Sequence, residues 1–211
     1  MAAVGYPYVT QPNANWVQRV YDAMRDRPSA RQQVSWLGSG NIAVTRECFD
    51  AIGGFREALV ACEDVDLCNR LVERGYTIVA DPRMRSVHYG DPASLRAVFF
   101  GELWRGRDNV RVTFTGPRTL RHLRSALIPM IDLACIVASV AALVSGYWML
   151  AAVLLLPPLA FLAVRAVMIH LRRSEQRPIT IGEALLFAVV FDVARSLALV
   201  VRGSHRARRS K

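Results

Sequence analysis

Lysine, cysteine and acidic residues are scarce in this sequence. Of its 27 basic residues only Lys211 is lysine, a bias that we attribute to base composition and not to function. The four cysteines are Cys48, Cys62, Cys68 and Cys135. They show no CxxC spacing and no matching pair of histidines, so the sequence supports neither a zinc site nor a disulfide framework. Residues 1–7 lack the basic segment and apolar core of a cleavable signal peptide, and none is expected there.

The shortage of acidic residues is concentrated in the second half of the chain. Residues 1–120 contain 15 arginines and 13 acidic residues, whereas residues 121–211 contain 12 basic and four acidic residues. The formal net charge of +10 therefore falls mainly on the second half. Because that half is also strongly apolar, its basic residues indicate contact with anionic membrane lipids. A nucleic-acid-binding protein would carry them on a soluble face, so we expect no nucleic-acid partner.

Long apolar runs separate the second part of the chain from the first. Hydrophobic residues make up 53% of the 211 residues and the mean hydropathy is +0.22, which excludes a disordered tail and an ordinary soluble domain. Residues 1–118 alternate short apolar runs with turn residues, whereas residues 119–211 are almost continuously apolar between basic clusters. We therefore predict an α/β domain followed by α-helical membrane segments, with the boundary near Pro117.

Two apolar runs, residues 126–146 and 147–169, are each long enough to cross a hydrocarbon core of about 30 Å as a helix. They predict a transmembrane hairpin, and the turn between them carries no charge. Arginines flank its outer ends, namely Arg118, Arg121 and Arg124 before the first run and Arg172, Arg173 and Arg177 after the second. Because basic flanks stay on the cytoplasmic side, we expect a multi-pass protein of the cell membrane whose first part faces the cytoplasm.

A third apolar run, residues 181–201, contains Glu183, Asp192 and Arg195 and leads into a basic tail. A third transmembrane helix would place that tail outside the cell. On a helical projection Asp192, Arg195 and Ser196 fall on one side, which is typical of a helix lying in the membrane interface. We favour the interfacial helix and keep the transmembrane helix as the alternative.

In the first part of the chain, turn residues and helix caps delimit short elements. The patterns predict helices over residues 16–24, 64–74 and 95–107, a short helix between Thr45 and Gly53, and strands over residues 34–37, 42–44, 76–80 and 84–88. Helices and strands that alternate in this way indicate an α/β fold.

Four short motifs follow one another in this part, and a histidine comes after them. They are Trp36-Leu37-Gly38-Ser39-Gly40-Asn41, Ile52-Gly53-Gly54-Phe55, Glu63-Asp64-Val65-Asp66-Leu67 and Gly75-Tyr76, followed by His88. Alone, the third motif would be explained by carboxylates at a helix N-terminus and by a pair between Asp66 and Arg70. In this order, over about residues 30–110, the motifs resemble the acceptor half of family 2 glycosyltransferases, which have a GT-A fold and invert the anomeric configuration.

The resemblance implies roles for individual residues. Asp64 matches the general base that removes the proton of the acceptor hydroxyl, and Glu63 would orient the loop or the acceptor. His88 stands where relatives carry a ligand for the divalent metal, Mg²⁺ or Mn²⁺, that holds the donor diphosphate. An ordinary surface histidine is the alternative explanation for His88.

Substrate-binding residues are expected on the glycine-rich loop and on the helix that leads toward the membrane. The residues concerned are Trp36, Gly38, Ser39, Gly40, Asn41, Arg105 and Arg107. The loop would approach the donor sugar or the acceptor, although a plain tight turn explains its glycines equally well. The two arginines would bind a diphosphate, with lipid headgroups as the alternative ligand. The run Gly101-Glu102-Leu103-Trp104-Arg105 does not match the Gln-x-x-Arg-Trp motif of processive members, so processive synthesis is not expected.

The donor half of that family, with its Asp-x-Asp metal motif, has no counterpart in residues 1–30, because Asp22 and Asp26 have the wrong spacing. Binding of a nucleotide-sugar donor would require an upstream segment or a donor-binding partner chain. We favour a membrane glycosyltransferase that acts on a lipid-linked or cell-envelope glycan. Two alternatives are a non-catalytic membrane protein that binds a glycan or partner subunit through the retained half, and a hairpin anchor with a structural α/β cap.

Overall fold

The computed structural model describes residues 1–116, 120–172 and 178–201, the side chains of residues 120–122 excepted. Several features predicted above lie outside these residues or side chains. They are the boundary at Pro117, the flanking residues Arg118, Arg121, Arg173 and Arg177, and the basic tail after Val201.

Short strands form a mixed sheet and a separate parallel pair. The strands are β1 (Ala3–Gly5), β2 (Val9–Thr10), β3 (Gln32–Val34), β4 (Ile42–Val44), β5 (Ile78–Ala80) and β6 (Val87–His88). The mixed sheet has the order β3-β5-β1-β4, in which β1 lies parallel to β5 and antiparallel to β4, and β3 pairs antiparallel with β5. The strands β2 and β6 form the parallel pair.

Helices connect these strands and then form a largely apolar second part, which the sequence analysis assigns to the membrane and which is called the membrane part below. The helices are α1 (Trp16–Ala23), α2 (Arg46–Ala51), α3 (Glu63–Glu73), α4 (Leu95–Arg105), α5 (Asn109–Thr115), α6 (Leu120–Val144), α7 (Trp148–Leu154), α8 (Leu156–Leu171) and α9 (Ile181–Leu197). The mixed α/β content of the first part and the helical content of the second agree with the sequence prediction.

Local sequence signals account for the ends of several helices. Asn15 and Gln18 form a reciprocal capping box at the start of α1, and the Ser94 hydroxyl accepts the N–H of Ala97 at the start of α4. After α3, Gly75 adopts a φ of 80°, a left-handed conformation that favours glycine. Thr45 precedes α2 as predicted, but its side chain makes no capping hydrogen bond.

Several strands differ from the sequence prediction. The strands β1 and β2 were not predicted, and β5 begins at Ile78 instead of residue 76. β3 ends at Val34, so it overlaps the predicted strand over residues 34–37 by one residue. The residues that pair with β5 are Gln32–Val34. β6 is shorter than the predicted strand over residues 84–88, because the Asp81 carboxylate accepts the N–H of Arg83 and begins a 3-10 turn.

Two buried hydrophobic clusters hold the molecule together. The first packs Leu67 and Leu71 of α3 against Ile78 of β5 and the rest of the mixed sheet. The second joins residues of α1, α4, α8 and α9, with Phe187 of α9 fully buried at 0% exposure. Because the second cluster contains residues from both parts of the chain, the α/β part is packed directly on the membrane part.

Two helical stretches are long and apolar enough to cross a membrane, Leu123–Val144 with 22 residues and Trp148–Leu171 with 24. The second is interrupted at Leu155, between α7 and α8. Pro157 and Pro158 cause the break, because they lack the N–H groups that would continue the helix. At the break the N–H of Leu155 donates to the carbonyl of Ala152 and not to that of Ala151. The carbonyl of Ala151 accepts the hydroxyl of Ser139 on α6 at 2.9 Å, so a neighbouring helix satisfies it.

Helix α9 turns its polar residues toward the protein. Asp192 forms a 2.8 Å ion pair with Arg165 of α8, and Arg195 lies 3.8 Å from Glu102 of α4. Its exposed side is apolar, with Leu186 57% and Val193 43% exposed. The polar side that the sequence placed in the membrane interface is therefore occupied by contacts with α4 and α8.

Replacing Arg165 by Met should destabilise the protein, because Arg165 pairs with Asp192 and also lies near the buried Asp132 of α6. Removing one partner of a buried ion pair costs about 3 kcal/mol or more. For a chain of this size, 3 kcal/mol corresponds to a Tm lower by roughly 6 to 12 °C, measured on the full chain in detergent. Arg124→Met, at an exposed position of α6, should change the Tm little. An equal loss of Tm in both variants would contradict a stabilising role for the ion pair of Arg165 with Asp192.

Candidate active site

A cleft of about 780 Å³ lies where the mixed sheet, the start of α3 and the helices α1, α4 and α9 meet. It gathers most of the site residues that the sequence predicted. Those that line the cleft are Trp36, Gly38, Ser39, Gly40, Glu63, Asp64 and Arg105. The glycine-rich loop and the carboxylates of α3, which are separated along the chain, thus face the same space.

A hydrogen bond joins the glycine-rich loop to the start of α3. The backbone N–H of Ser39 donates to Oδ2 of Asp64 at 3.0 Å, and Oδ1 of Asp64 accepts the N–H of Val65 at 2.8 Å. A carboxylate offers about four acceptor positions, so Asp64 keeps capacity for a further donor such as a hydroxyl.

Gly40 has a packing role in addition to any contact with substrate. A Cβ at this position would lie 2.8 Å from Cε1 of Tyr8, which is too close for the ring to keep its place. At Gly38 a Cβ would be 3.7 Å from Oδ2 of Asp64, an ordinary contact. Of the two loop glycines, only Gly40 is therefore required by its immediate surroundings.

Asp66 is buried beneath the site, where it stabilises the fold, and it does not line the cleft. Its carboxylate accepts hydrogen bonds from Arg56 and Arg70, both at 2.8 Å, and its side chain is 4% exposed. Arg70 also donates to the carbonyls of Ile52 and Gly54, which ties the turn after α2 to α3. The pair of Asp66 with Arg70 that the sequence suggested is present.

Three of the predicted site residues lie away from the cleft lining. The amide of Asn41 donates to the carbonyls of Tyr6 and Met84, so it holds two segments together. The ring of His88 stacks on Tyr8, with centroids 4.2 Å apart. Arg107 borders a different cavity, between α6 and the end of α9. Their roles in substrate or metal binding remain predictions of the resemblance.

The surroundings of His88 bear on the expected metal. Nδ1 of His88 lies 3.1 Å from Asp91, whose buried carboxylate is bound by Arg25. Burial, the largest single cause, favours protonation of Asp91, but the hydrogen bonds and charge of Arg25, together with hydrogen bonds from His88 and Thr10, outweigh it and lower the pKa of Asp91. Within residues 1–116, 120–172 and 178–201, no group of three or more His, Cys, Asp or Glu side chains is placed to hold a metal ion. The described side chains therefore do not fit a complete metal site by themselves.

A cluster at the base of the cleft was missed by the sequence reasoning. Glu102 is 4% exposed and accepts hydrogen bonds from the Tyr21 hydroxyl at 3.3 Å and from Arg105 at 3.0 Å, with Arg195 close by. Burial, and then the charge of Glu102, raise the pKa of Tyr21, which keeps its proton. Glu102 and Arg105 are three residues apart on α4, a spacing that favours an ion pair and could have been recognised in the sequence. The approach of Arg195 depends on the packing of α9 against α4, which no nearby residue indicates.

The cleft therefore brings carboxylates and guanidinium groups together. Glu63 and Asp64 lie at the start of α3, and the guanidinium groups of Arg105 and Arg195 share the carboxylate of Glu102. This arrangement could accept a proton on a carboxylate and hold an anion on a guanidinium group. Cys62 also lines the cleft, but burial raises its pKa to about 12, so it is a thiol and not a nucleophilic thiolate at neutral pH.

Comparison with protein-family models, with curated proteins and with solved structures gave no match to this chain. The likeness to family 2 glycosyltransferases therefore depends on the sequence motifs and stays a prediction.

Asp66→Ala should lower stability far more than Asp50→Ala, although both residues pair with an arginine four positions away on a helix. The Asp66 pair is buried, with Arg70 12% exposed, whereas the pair of Asp50 with Arg46 is 61% and 89% exposed. We expect a loss of about 3 kcal/mol for Asp66 and less than about 1 kcal/mol for Asp50, compared by thermal unfolding of the full chain. Similar small losses would show that Asp66 is free to act on substrate.

Proposed function

We propose that this chain is the acceptor-side module of an inverting membrane glycosyltransferase. The observation that carries the proposal is the hydrogen bond between Ser39 and Asp64, which sets the glycine-rich loop beside the carboxylates in one cleft. The mixed sheet, with β1 parallel to β5, supports the GT-A-like architecture that forms part of the proposal. The module would transfer a sugar from a nucleotide-diphosphate donor to a hydroxyl of a lipid-linked or cell-envelope glycan.

Asp64 is the general base in this proposal. The proton of the acceptor hydroxyl passes to a carboxylate oxygen of Asp64 while the hydroxyl oxygen attacks the anomeric carbon. The bond from that carbon to the nucleoside diphosphate breaks on the opposite side, so the configuration inverts. Arg105 and Arg195 supply positive charge toward the departing anion. Glu63, beside Asp64 in the cleft, orients the acceptor.

In this proposal the donor, and most ligands of its metal ion, are held by groups other than the described residues. A divalent ion, Mg²⁺ or Mn²⁺, would neutralise charge on the leaving diphosphate, with His88 as a protein ligand. Because His88 and Asp91 do not form a metal site by themselves, no step above depends on the ion. A donor-binding segment or partner chain completes the enzyme.

The proposal places the hairpin in the cell membrane with the α/β part in the cytoplasm. Its support is the pair of apolar helical stretches and the arginines Arg124 and Arg172 at their outer ends. The exposed Tyr147 and Trp148 lie at the opposite end, as aromatic residues do at a membrane surface. Helix α9 lies in the interface, with its apolar side toward the lipid and its polar side against α4 and α8.

A second candidate is a non-catalytic protein that binds a glycan or a partner subunit through the same part of the fold. The edge strand β3 favours it, because Gln32 and Gln33 are exposed and another strand could pair with them. In that case the carboxylates of α3 would matter for binding and not for turnover.

Asp64→Asn should lower sugar transfer at least about 100-fold, because the amide has nearly the same shape but cannot take the proton. The Tm should fall only slightly, because the amide keeps one of the two oxygens that accept the N–H groups of Ser39 and Val65. Transfer is measured in membranes of a strain that lacks the endogenous protein and expresses the variant, so that donor-binding partners are present. Asp50→Asn, which alters an exposed carboxylate outside the cleft, serves as the matched control. Normal transfer by Asp64→Asn would refute the enzymatic role.

The topology predicts opposite labelling of two introduced cysteines. Ser145→Cys, in the exposed turn between α6 and α7, should react with a membrane-impermeant maleimide in intact cells. Asp50→Cys, on the exposed surface of α2, should react only after the cells are permeabilised. The reverse pattern would place the α/β part outside the cell.

A further inference from the structure

Cys62 adopts a backbone conformation that residues with a side chain rarely adopt. Among the residues that the structure describes, it is the one non-glycine residue with a positive φ, at 61°. This left-handed conformation brings the Cβ close to the following carbonyl oxygen, so neighbouring contacts must supply the free energy that holds it. Cys62 directly precedes Glu63 and Asp64 at the start of α3, and all three residues line the cleft. The strained turn therefore sets the point at which α3 enters the site.

The contacts that hold this turn come from the end of α4 and the start of α5. Oδ2 of Asp108 accepts the N–H groups of Val60 and Ala61, at 2.7 and 3.1 Å. The thiol of Cys62 donates to the carbonyl of Arg105 at 3.5 Å. Because Ala61 is 0% exposed, its N–H depends on an acceptor within the protein. Two successive N–H groups and one thiol thus fix the backbone at the strained residue.

Asp108 makes these contacts in place of a local one. It occupies the N-cap position of α5, where an aspartate side chain commonly accepts an N–H of its own helix, but it makes no such capping hydrogen bond. The side chains of Asn15 and Ser94, by contrast, do cap α1 and α4. The Asp108 carboxylate is therefore committed to the segment before α3 and not to the helix that follows it.

The residue after Asp108 is fixed on a long helix. The amide of Asn109 donates to the carbonyl of Ser125 on α6 at 2.8 Å. A group that is itself held by further hydrogen bonds keeps a site in a narrower range of geometries than a group on an unsupported loop. A series of contacts therefore runs from α6, through Asn109 and Asp108, to the backbone that precedes α3.

From these contacts we infer that Asp108 is a positioning residue for the general base. Its carboxylate holds the strained turn at Cys62 and thereby directs Asp64 into the cleft, although Asp108 does not line the cleft itself. The inference rests on the proposed function, in which Asp64 takes the proton of the acceptor hydroxyl. A displacement of about 1 Å at a reacting group can lower a rate about 100-fold, so Asp108 contributes to transfer through geometry.

The direct test is the reactivity of the Cys62 thiol toward methyl methanethiosulfonate in the purified full chain in detergent, located by mass spectrometry. Asp108→Ala should release the turn and raise the modification rate about tenfold, because hydrogen bonds to a charged acceptor are lost. Asp108→Asn keeps an oxygen that can accept both N–H groups, so its rate should stay close to that of the unmodified chain. Cys68, which is 0% exposed, is the internal reference and should stay unmodified in every folded variant.

Two outcomes of this experiment would overturn the inference. The first is an unchanged rate in Asp108→Ala. The second is an equal acceleration in Asp108→Ala and Asp108→Asn, which would show only that a negative charge near the thiol is lost. If Asp108→Ala does not fold, Asp108→Glu provides the measurement, because it keeps the charge but places the carboxylate one methylene farther out. It should raise the rate in the same direction and by a smaller factor.

Sugar transfer in membranes, expressed per amount of folded chain, is the second readout. Asp108→Ala should lower kcat at least about tenfold with little change in the KM for the donor, and Asp108→Asn should restore kcat. Ser94→Ala removes an ordinary helix cap and is the matched control, which should lower the Tm without lowering transfer per folded chain. An equal loss of kcat in Ser94→Ala would show a general effect of stability and refute the positioning role.

A pair of double variants separates the backbone conformation from the side-chain contacts. Glycine adopts a positive φ without strain, so Cys62→Gly combined with Asp108→Ala should recover part of the lost transfer. Cys62→Ala combined with Asp108→Ala keeps the strain and should not recover it. Equal transfer by the two double variants would contradict the inference.

The thiol measurement needs neither donor nor acceptor, so the inference and the proposed function fail separately. Normal transfer by Asp64→Asn would refute the proposed base and leave the reactivity of Cys62 unaffected. Unchanged reactivity of Cys62 in Asp108→Ala would refute the role of Asp108 and leave the proposed base in place.

Discussion

The polar side of α9 is the constraint on which the rest of the structure depends. An otherwise apolar helix carries Asp192 and Arg195 three residues apart, and each finds its partner on a different element, Arg165 on α8 and Glu102 on α4. Charged groups left in an apolar environment without partners would be costly, so these two pairs fix both the rotation and the position of α9. The α/β part and the hairpin are joined through it, and the fully buried Phe187 fills the space between them.

The same helix completes the cleft. The start of α3 provides the carboxylates, as its sequence position suggests, but the positive charge comes from α4 and from α9. Arg195 reaches the cleft because α9 packs against α4, so a helix near the end of the chain contributes directly to a site built on the α/β part. The charged groups of the cleft thus come from both parts of the chain.

The elements and residues that local chemistry determines were predictable, and those that depend on distant contacts were not. The bounds of α3 and the pair of Asp66 with Arg70 follow from helix signals within a few residues. The pairing of β5 with Gln32–Val34 depends on a partner far along the chain, so the sequence placed β3 too late. Likewise, the sequence grouped Asp192 and Arg195 on one side of α9, but only the folded chain shows that their partners are Arg165 and Glu102.

Gly106 marks the contact between the ends of α4 and α9. A Cβ at this position would lie 2.4 Å from the Cβ of Ala198, far inside the distance that two carbon atoms tolerate. Every missense change of a glycine codon adds such a Cβ, so each of them would wedge the two helix ends apart. Position 106 is thus a place where a single inherited change would disturb the packing of α9 on α4, and with it the position of Arg195 in the cleft, without altering any residue that lines the cleft.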